Sequence, residues 1–147
     1  MSKIRAFALL FAAQLAIMGL VATAVPTEAE AAVVRQDALF HTAKTTAQDI
    51  FSTSFSSYSG YPSTALRITV VLESTNAVLN FRATDGTDTV VGALNNGTAL
   101  TAGQVYTFVL GLAATKDGTT ALSYNFRIGT NTTIGYMLVE QVTGDAL

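Results

Sequence analysis

The sequence has no cysteine, no tryptophan, one histidine and two prolines among 147 residues. Without cysteine there are no disulfide staples, thiolate metal sites, iron–sulfur clusters or cysteine nucleophiles. With His41 as the sole imidazole, multi-histidine metal sites and histidine dyads are excluded too. Charge is also scarce: Asp, Glu, Lys and Arg make up 12% of the chain, and the net charge is −2. There is no broad basic footprint, so no specific nucleic acid is expected as a partner. Half of the residues are hydrophobic, which excludes a disordered chain and fits one domain. Threonine is abundant at 22 residues. Its branched side chain favours pleated, half-exposed strands.

Residues 1–31 differ from the rest. Lys3 and Arg5 precede an apolar run that opens on Ala6, closes on Val25 and contains only Gln14 and Thr23 as polar side chains. Pro26 ends it. The run, residues 6–25, just meets the length a helix needs to cross a bilayer, and the preceding positive charge would hold the amino end inside. A secretory signal peptide is the other reading, with Ala29-Glu30-Ala31 matching the small-residue cleavage pattern. Residues 1–31 are therefore a hydrophobic N-terminal helix, acting as a membrane or assembly anchor, or a signal peptide. A lipid membrane is an expected partner under the first reading.

Residues 32–63 read as a connecting arm. Thr27 and Glu30 have capping-box spacing, and the Ala-rich stretch 31–47 could continue as a helix. Its apolar positions are irregularly spaced. Residues 52–63, including Tyr58-Ser59-Gly60-Tyr61-Pro62, have the composition of a strand edge and a loop.

From residue 64 onward strand signals follow one another. Leu66, Ile68, Val70 and Leu72 share one face with Arg67 and Thr69 on the other, and Leu79 and Phe81 alternate with Asn80 and Arg82. Tyr106, Phe108, Leu110 and Leu112 share a face, and so do Leu122, Tyr124, Phe126 and Ile128, with Ser123, Asn125 and Arg127 opposite. Ile134, Tyr136 and Leu138 align in a last strand. Asp85-Gly86, Asn95-Asn96-Gly97 and Asp117-Gly118 are turn signals of hairpin type. No helix-length crossover separates the strands. The pattern predicts a mainly β fold: an antiparallel β-sandwich, jelly-roll-like, over residues 64–147, preceded by the N-terminal helix.

No constellation for chemistry stands out. His41 has no partner within its segment, and no G-x-S-x-G turn presents a serine. Asp85-Gly86-Thr87-Asp88 lacks the closing acid of a calcium loop. Glu73, Asp85, Asp88, Asp117, Glu140 and Asp145 fall mostly in turns, so none is assigned an acid–base role. Asn96-Gly97-Thr98 and Asn131-Thr132-Thr133 match the glycosylation sequon, in turn and strand residues. Tyr58 and Tyr61 are the aromatics best placed for surface recognition. Arg67, Arg82 and Arg127 are expected to face outward from strands. No catalytic residue, metal ligand or cofactor site is assigned.

The segment Asn96-Gly97-Thr98-Ala99-Leu100-Thr101-Ala102-Gly103-Gln104-Val105-Tyr106-Thr107-Phe108 resembles turn-then-strand segments of small bacteriophage virion structural proteins. Tyr124-Asn125-Phe126-Arg127 and residues 134–140 resemble their closing strands. The likeness covers about residues 50–142. It implies a jelly-roll-like subunit without catalysis, serving as a minor capsid, decoration or spike component. Its partners would be copies of itself and other virion proteins, and its location the virion. Gly97, Leu100, Gly103, Tyr106, Phe108, Tyr124 and Phe126 would then build the hairpin and core. The hydrophobic amino terminus departs from ordinary tailed-phage structural proteins, which need none. It leaves open a membrane-containing particle or a secreted, cell-surface fibre subunit. A small carbohydrate-binding module using Tyr58 and Tyr61 is a third reading.

Overall fold

The computed structural model describes residues 32–57, 64–115 and 117–143. The expected N-terminal helix over residues 1–31, together with Tyr58 and Tyr61, lies outside them. Among the described residues there are eight strands: β1 (Ala32–Lys44), β2 (Phe55–Ser56), β3 (Thr64–Leu72), β4 (Leu79–Thr84), β5 (Thr89–Ala93), β6 (Val105–Gly111), β7 (Ser123–Ile128) and β8 (Thr132–Thr143). They form two four-stranded antiparallel sheets, ordered β1-β8-β3-β6 and β2-β7-β4-β5.

The alternating residues meet in one core between the sheets. Leu66, Ile68, Val70 and Leu72 of β3 are buried, as are Met137 and Val139 of β8. From the second sheet come Leu79, Tyr124, Phe126 and Ile128. They belong to a single apolar cluster, the arrangement two half-buried sheets need in order to cover their greasy faces.

Three expectations are corrected. Residues 32–44 form a strand, β1, and not a helix. β1 pairs with β8 over its whole length, from Ala32 opposite Thr143 to Lys44 opposite Thr132. Val33, Val34, Leu39 and Phe40 favour a pleated surface, and long-range pairing overrides the Ala-rich composition. The described part of residues 32–63 is thus built into the sandwich: Ile50, Phe51 and Phe55 are core residues.

The connections are also not a run of hairpins. Of the sequence neighbours, only β4 and β5 pair with each other. The Asp85-Gly86 turn joins them, with Gly86 at φ +96. The Asn95-Asn96-Gly97 turn lies between β5 and β6, which belong to different sheets. It is a 3-10 turn, Asn95–Gly97, with both asparagines at positive φ, a conformation Asn tolerates.

Finally, Ile134, Tyr136 and Leu138 do not share a face. Against β3, Val71 pairs with Tyr136 but Leu72 pairs with Ile134, so Gly135 is an extra residue on β8. Such a bulge inverts the alternation beyond it. Ile134 faces the core on one side of Gly135, and Met137 and Val139 face it on the other. His41, at φ +47, stands level with Gly135 on β1. The inward residues of β1 change there from Arg35, Asp37 and Leu39 to Thr42 and Lys44.

Candidate functional site

Of the residues selected for a hairpin and core, Leu100, Tyr124 and Phe126 are buried, Tyr106 and Phe108 are half-buried, and Gly97 and Gly103 lie between β5 and β6 of different sheets. Leu100 is buried and bridges to Ala77. Gly103, at φ +80, donates its N–H to the Leu72 carbonyl at 2.7 Å. Gly97, at φ +77, closes the 3-10 turn. The Tyr106 ring stacks parallel to Phe108, 6.3 Å away, and its hydroxyl accepts from the Thr101 N–H at 3.0 Å. Phe126 is wholly buried. Tyr124 is buried up to its hydroxyl, which accepts from the Ala113 N–H at 2.9 Å and donates to the Ala113 carbonyl at 3.1 Å.

The charged side chains are committed to structure. Residues 45–54 form a strap along β7. The Ile50 N–H donates to the Phe126 carbonyl at 2.8 Å. The Asn125 side chain accepts from the Phe51 N–H and donates to the Phe51 carbonyl. Asn125 thus lies on the side opposite Tyr124 and Phe126, as the alternation predicts, and is buried there against the strap. Asp49 accepts from Arg82 at 2.7 and 2.8 Å and from Arg127 at 2.6 Å. Partial burial pushes the Asp49 pKa up, but the two guanidiniums outweigh it and the net shift is downward. The cluster holds the strap onto the outer side of β4 and β7.

Elsewhere, Arg67 donates to Glu140 at 2.8 Å, which holds the glutamate below its ordinary pKa. His41 contacts Glu73 at 2.8 Å. Asp117 accepts from the Thr120 and Thr119 N–H groups of its own turn, and these hold its carboxyl far below the usual range. Among the described residues no group of three or more acids and histidines is placed to hold a metal. No described helix is long and apolar enough to cross a membrane.

What remains unspent is the outer face of the β1-β8-β3-β6 sheet. Register places its outward residues in three rows across the four strands. One row is Phe40, Tyr136, Val71 and Val105; the next is Ala38, Leu138, Thr69 and Thr107. The third is Gln36, Glu140, Arg67 and Val109, and it carries the face's one ion pair among these twelve residues. Phe40 and Val105 are 69% and 70% exposed, and the Phe40 and Tyr136 rings lie 5.2 Å apart. A partly apolar, largely uncharged face of this kind is an interaction surface more readily than a reaction site. Sequence reasoning missed it because the bulge at Gly135 decides which β8 residues point outward. A glycine inside a strand pattern was the available signal. No protein-family model matches the chain, and no curated protein matches it.

Proposed function

We propose that this protein is a non-enzymatic structural subunit that assembles in multiple copies, serving in a virion as a minor capsid, decoration or spike component. The observation that carries the reading is the strand order, β1-β8-β3-β6 over β2-β7-β4-β5. This is the connectivity of an eight-stranded jelly roll, an architecture found in viral capsid domains, lectins and cupins. Cupin chemistry draws on clustered metal ligands, and His41 is the only histidine in the chain. A capsid-type role needs faces and edges, and the exposed sheet face supplies one. In this reading residues 6–25 anchor the subunit in a membrane or within the assembly. Quantitative mass spectrometry of purified particles tests it. The chain is expected at a fixed copy number relative to the major shell protein. Its absence, or only trace amounts, would overturn the virion role.

A second reading rests on the sequence: Ala29-Glu30-Ala31 fits a small-residue cleavage site. Cleavage there would release an intact sandwich as an exported, cell-surface fibre subunit. The mass of the mature amino end decides: a start at Ala32 favours export, and retention of residues 1–31 favours the anchor.

A further inference from the structure

A sheet of four strands has two edges, so the described residues present four, and they are unequal. β1 is irregular at Val34 and at His41 and carries Arg35, Asp37 and Lys44. Bulges and charges of that kind block further pairing. β2 is two residues long, too short to serve as a template. β5 has five residues and includes Gly92. β6 has seven, Val-Tyr-Thr-Phe-Val-Leu-Gly, with no charge and no proline, and it runs against β3 without a register shift.

The backbone of β6 is half satisfied. Leu112 donates its N–H to the Thr64 carbonyl at 2.9 Å, which marks the even-numbered residues as those bonded to β3. The N–H and C=O groups of Val105, Thr107, Val109 and Gly111 therefore point to the free side. The side chains agree. Val105 and Val109 are exposed on the outer face. Tyr106, Phe108 and Leu110 turn inward yet stay only half-buried against the core. The sandwich is left ajar along this strand.

We propose that β6 is a self-association edge, on which a second copy of this chain lays its own β6 antiparallel. The two β1-β8-β3-β6 sheets then become one continuous eight-stranded sheet. The occupant follows from complementarity. A two-fold axis at Phe108 places Thr107 opposite the partner's Val109, and Val105 opposite the partner's Gly111. Free N–H and C=O groups meet their counterparts, Val105 meets a glycine, Thr107 meets a side chain of its own size, and no like charges meet. On the inner side the half-covered Phe108 meets the partner's Phe108, which completes the cover the sandwich lacks. This deepens the structural-subunit reading by naming one contact through which copies meet. Seven paired residues make a small interface, weak in isolation and multiplied in a many-copy array.

The test uses the full chain in mild detergent, so that residues 6–25 do not themselves drive association. Because the protein has no cysteine, the double variant Thr107→Cys, Val109→Cys carries the only thiols. In the proposed pairing the two positions sit about 5.5 Å apart at Cα across the axis, within disulfide reach. Mild oxidation is expected to give a covalent dimer. Val91→Cys on β5, which leaves β6 unchanged, is expected to give no covalent dimer under the same oxidation. By sedimentation, wild type is expected to show a dimer that Val109→Lys and Thr107→Pro abolish with native circular dichroism retained. Proline at 107 removes only a donor aimed away from β3. A dimer unaffected by both variants, a monomer at every concentration, or cross-linking through β5 instead would overturn the proposal. The two readings fail separately. Particles that incorporate Val109→Lys chains in normal amounts and geometry refute the β6 contact and leave the subunit role standing. A β6 dimer of a chain absent from particles does the reverse.

Discussion

Replacing Asp49 by asparagine tests whether the strap over β4 and β7 is held by charge or by its buried anchors. The carboxylate accepts three charge-assisted hydrogen bonds, at 2.7 and 2.8 Å from Arg82 and at 2.6 Å from Arg127. Bonds to charged groups contribute about 1.5–3 kcal/mol each when shielded, whereas exposed pairs contribute about 0–1 kcal/mol. Asp49 is 32% exposed and its partners are 20% and 35% exposed. Water screens part of the attraction, so about 2 kcal/mol for the whole cluster is the appropriate scale. That corresponds to a fall of roughly 6–10 °C in Tm for a domain of this size. Asparagine preserves the shape but supplies a neutral acceptor and leaves two guanidiniums side by side.

The pH dependence sharpens the test. The folded-state pKa of Asp49 lies below its ordinary value. Its contribution is therefore fully present above the unfolded pKa of about 3.9 and is lost as pH falls through the folded pKa. Urea titration at neutral pH is expected to separate wild type from Asp49→Asn by the full amount, and the gap is expected to close progressively below about pH 4. Hydrogen exchange adds a local readout. The Ile50 and Phe51 amides, which bond into β7, are expected to exchange faster in the variant, while those of β3 change only with global stability. A variant as stable as wild type at pH 7 would show that the buried Ile50 and Phe51 hold the strap alone, and a gap that persists undiminished into acid would show that the loss does not come from the carboxylate's charge.

Two glycines separate steric from conformational cost. A Cβ on Gly92 would stand 2.3 Å from the Phe81 ring, so Gly92→Ala must displace that ring and is expected to cost about 1–3 kcal/mol in chemical denaturation. A Cβ on Gly103 meets nothing within 4 Å, but φ is +80, so Gly103→Ala is expected to lose about 1–2 kcal/mol through the backbone alone. Repacking Phe81 to a smaller side chain should rescue the first variant and leave the second untouched. Tyr124→Phe keeps the buried ring and removes two hydrogen bonds to Ala113. A loss of about 1 kcal/mol with local exchange at Ala113 is expected, and an unchanged denaturation midpoint would refute that tether.

Much of the sandwich was legible because period-two alternation is imposed by burial itself. Leu66, Ile68, Val70 and Leu72 could take no other face in an antiparallel sheet with one side in the core. Tyr124, Phe126 and Ile128 were legible for the same reason. The helix expected over residues 31–47 failed because alanine and a capping pattern are local signals, whereas β1 exists by pairing with a strand about a hundred residues away. The side on which Asn125 lies was legible from the same alternation; its burial was not, because only the strap from residues 45–54 supplies the partners that let a polar side chain be buried there. Sheet order was illegible throughout: hairpin-type turn residues occur between strands of the same sheet and of different sheets alike.

The outer face depends on a register device that spans two strands. Gly135 is extra relative to β3, yet β1 and β8 keep one register past it because His41 matches it. The switch sends Tyr136 and Leu138 outward beside Phe40 and Val71, and sends Met137 and Val139 into the core. Deleting Gly135 alone would straighten β8 against β3 but slip the three pairs from Thr42–Ile134 to Lys44–Thr132 against β1. Deleting His41 alone would slip the same pairs the other way. Each single deletion is expected to destabilise the protein. The double deletion is expected to recover a regular alternation on both strands, with a favourable coupling of about 0.5–3 kcal/mol between sites in contact. Thermal denaturation of the three variants measures it. Additive losses in the double deletion would mean that the two irregularities are independent, and that the row of Phe40, Tyr136, Val71 and Val105 is set by the β3–β8 pairing alone.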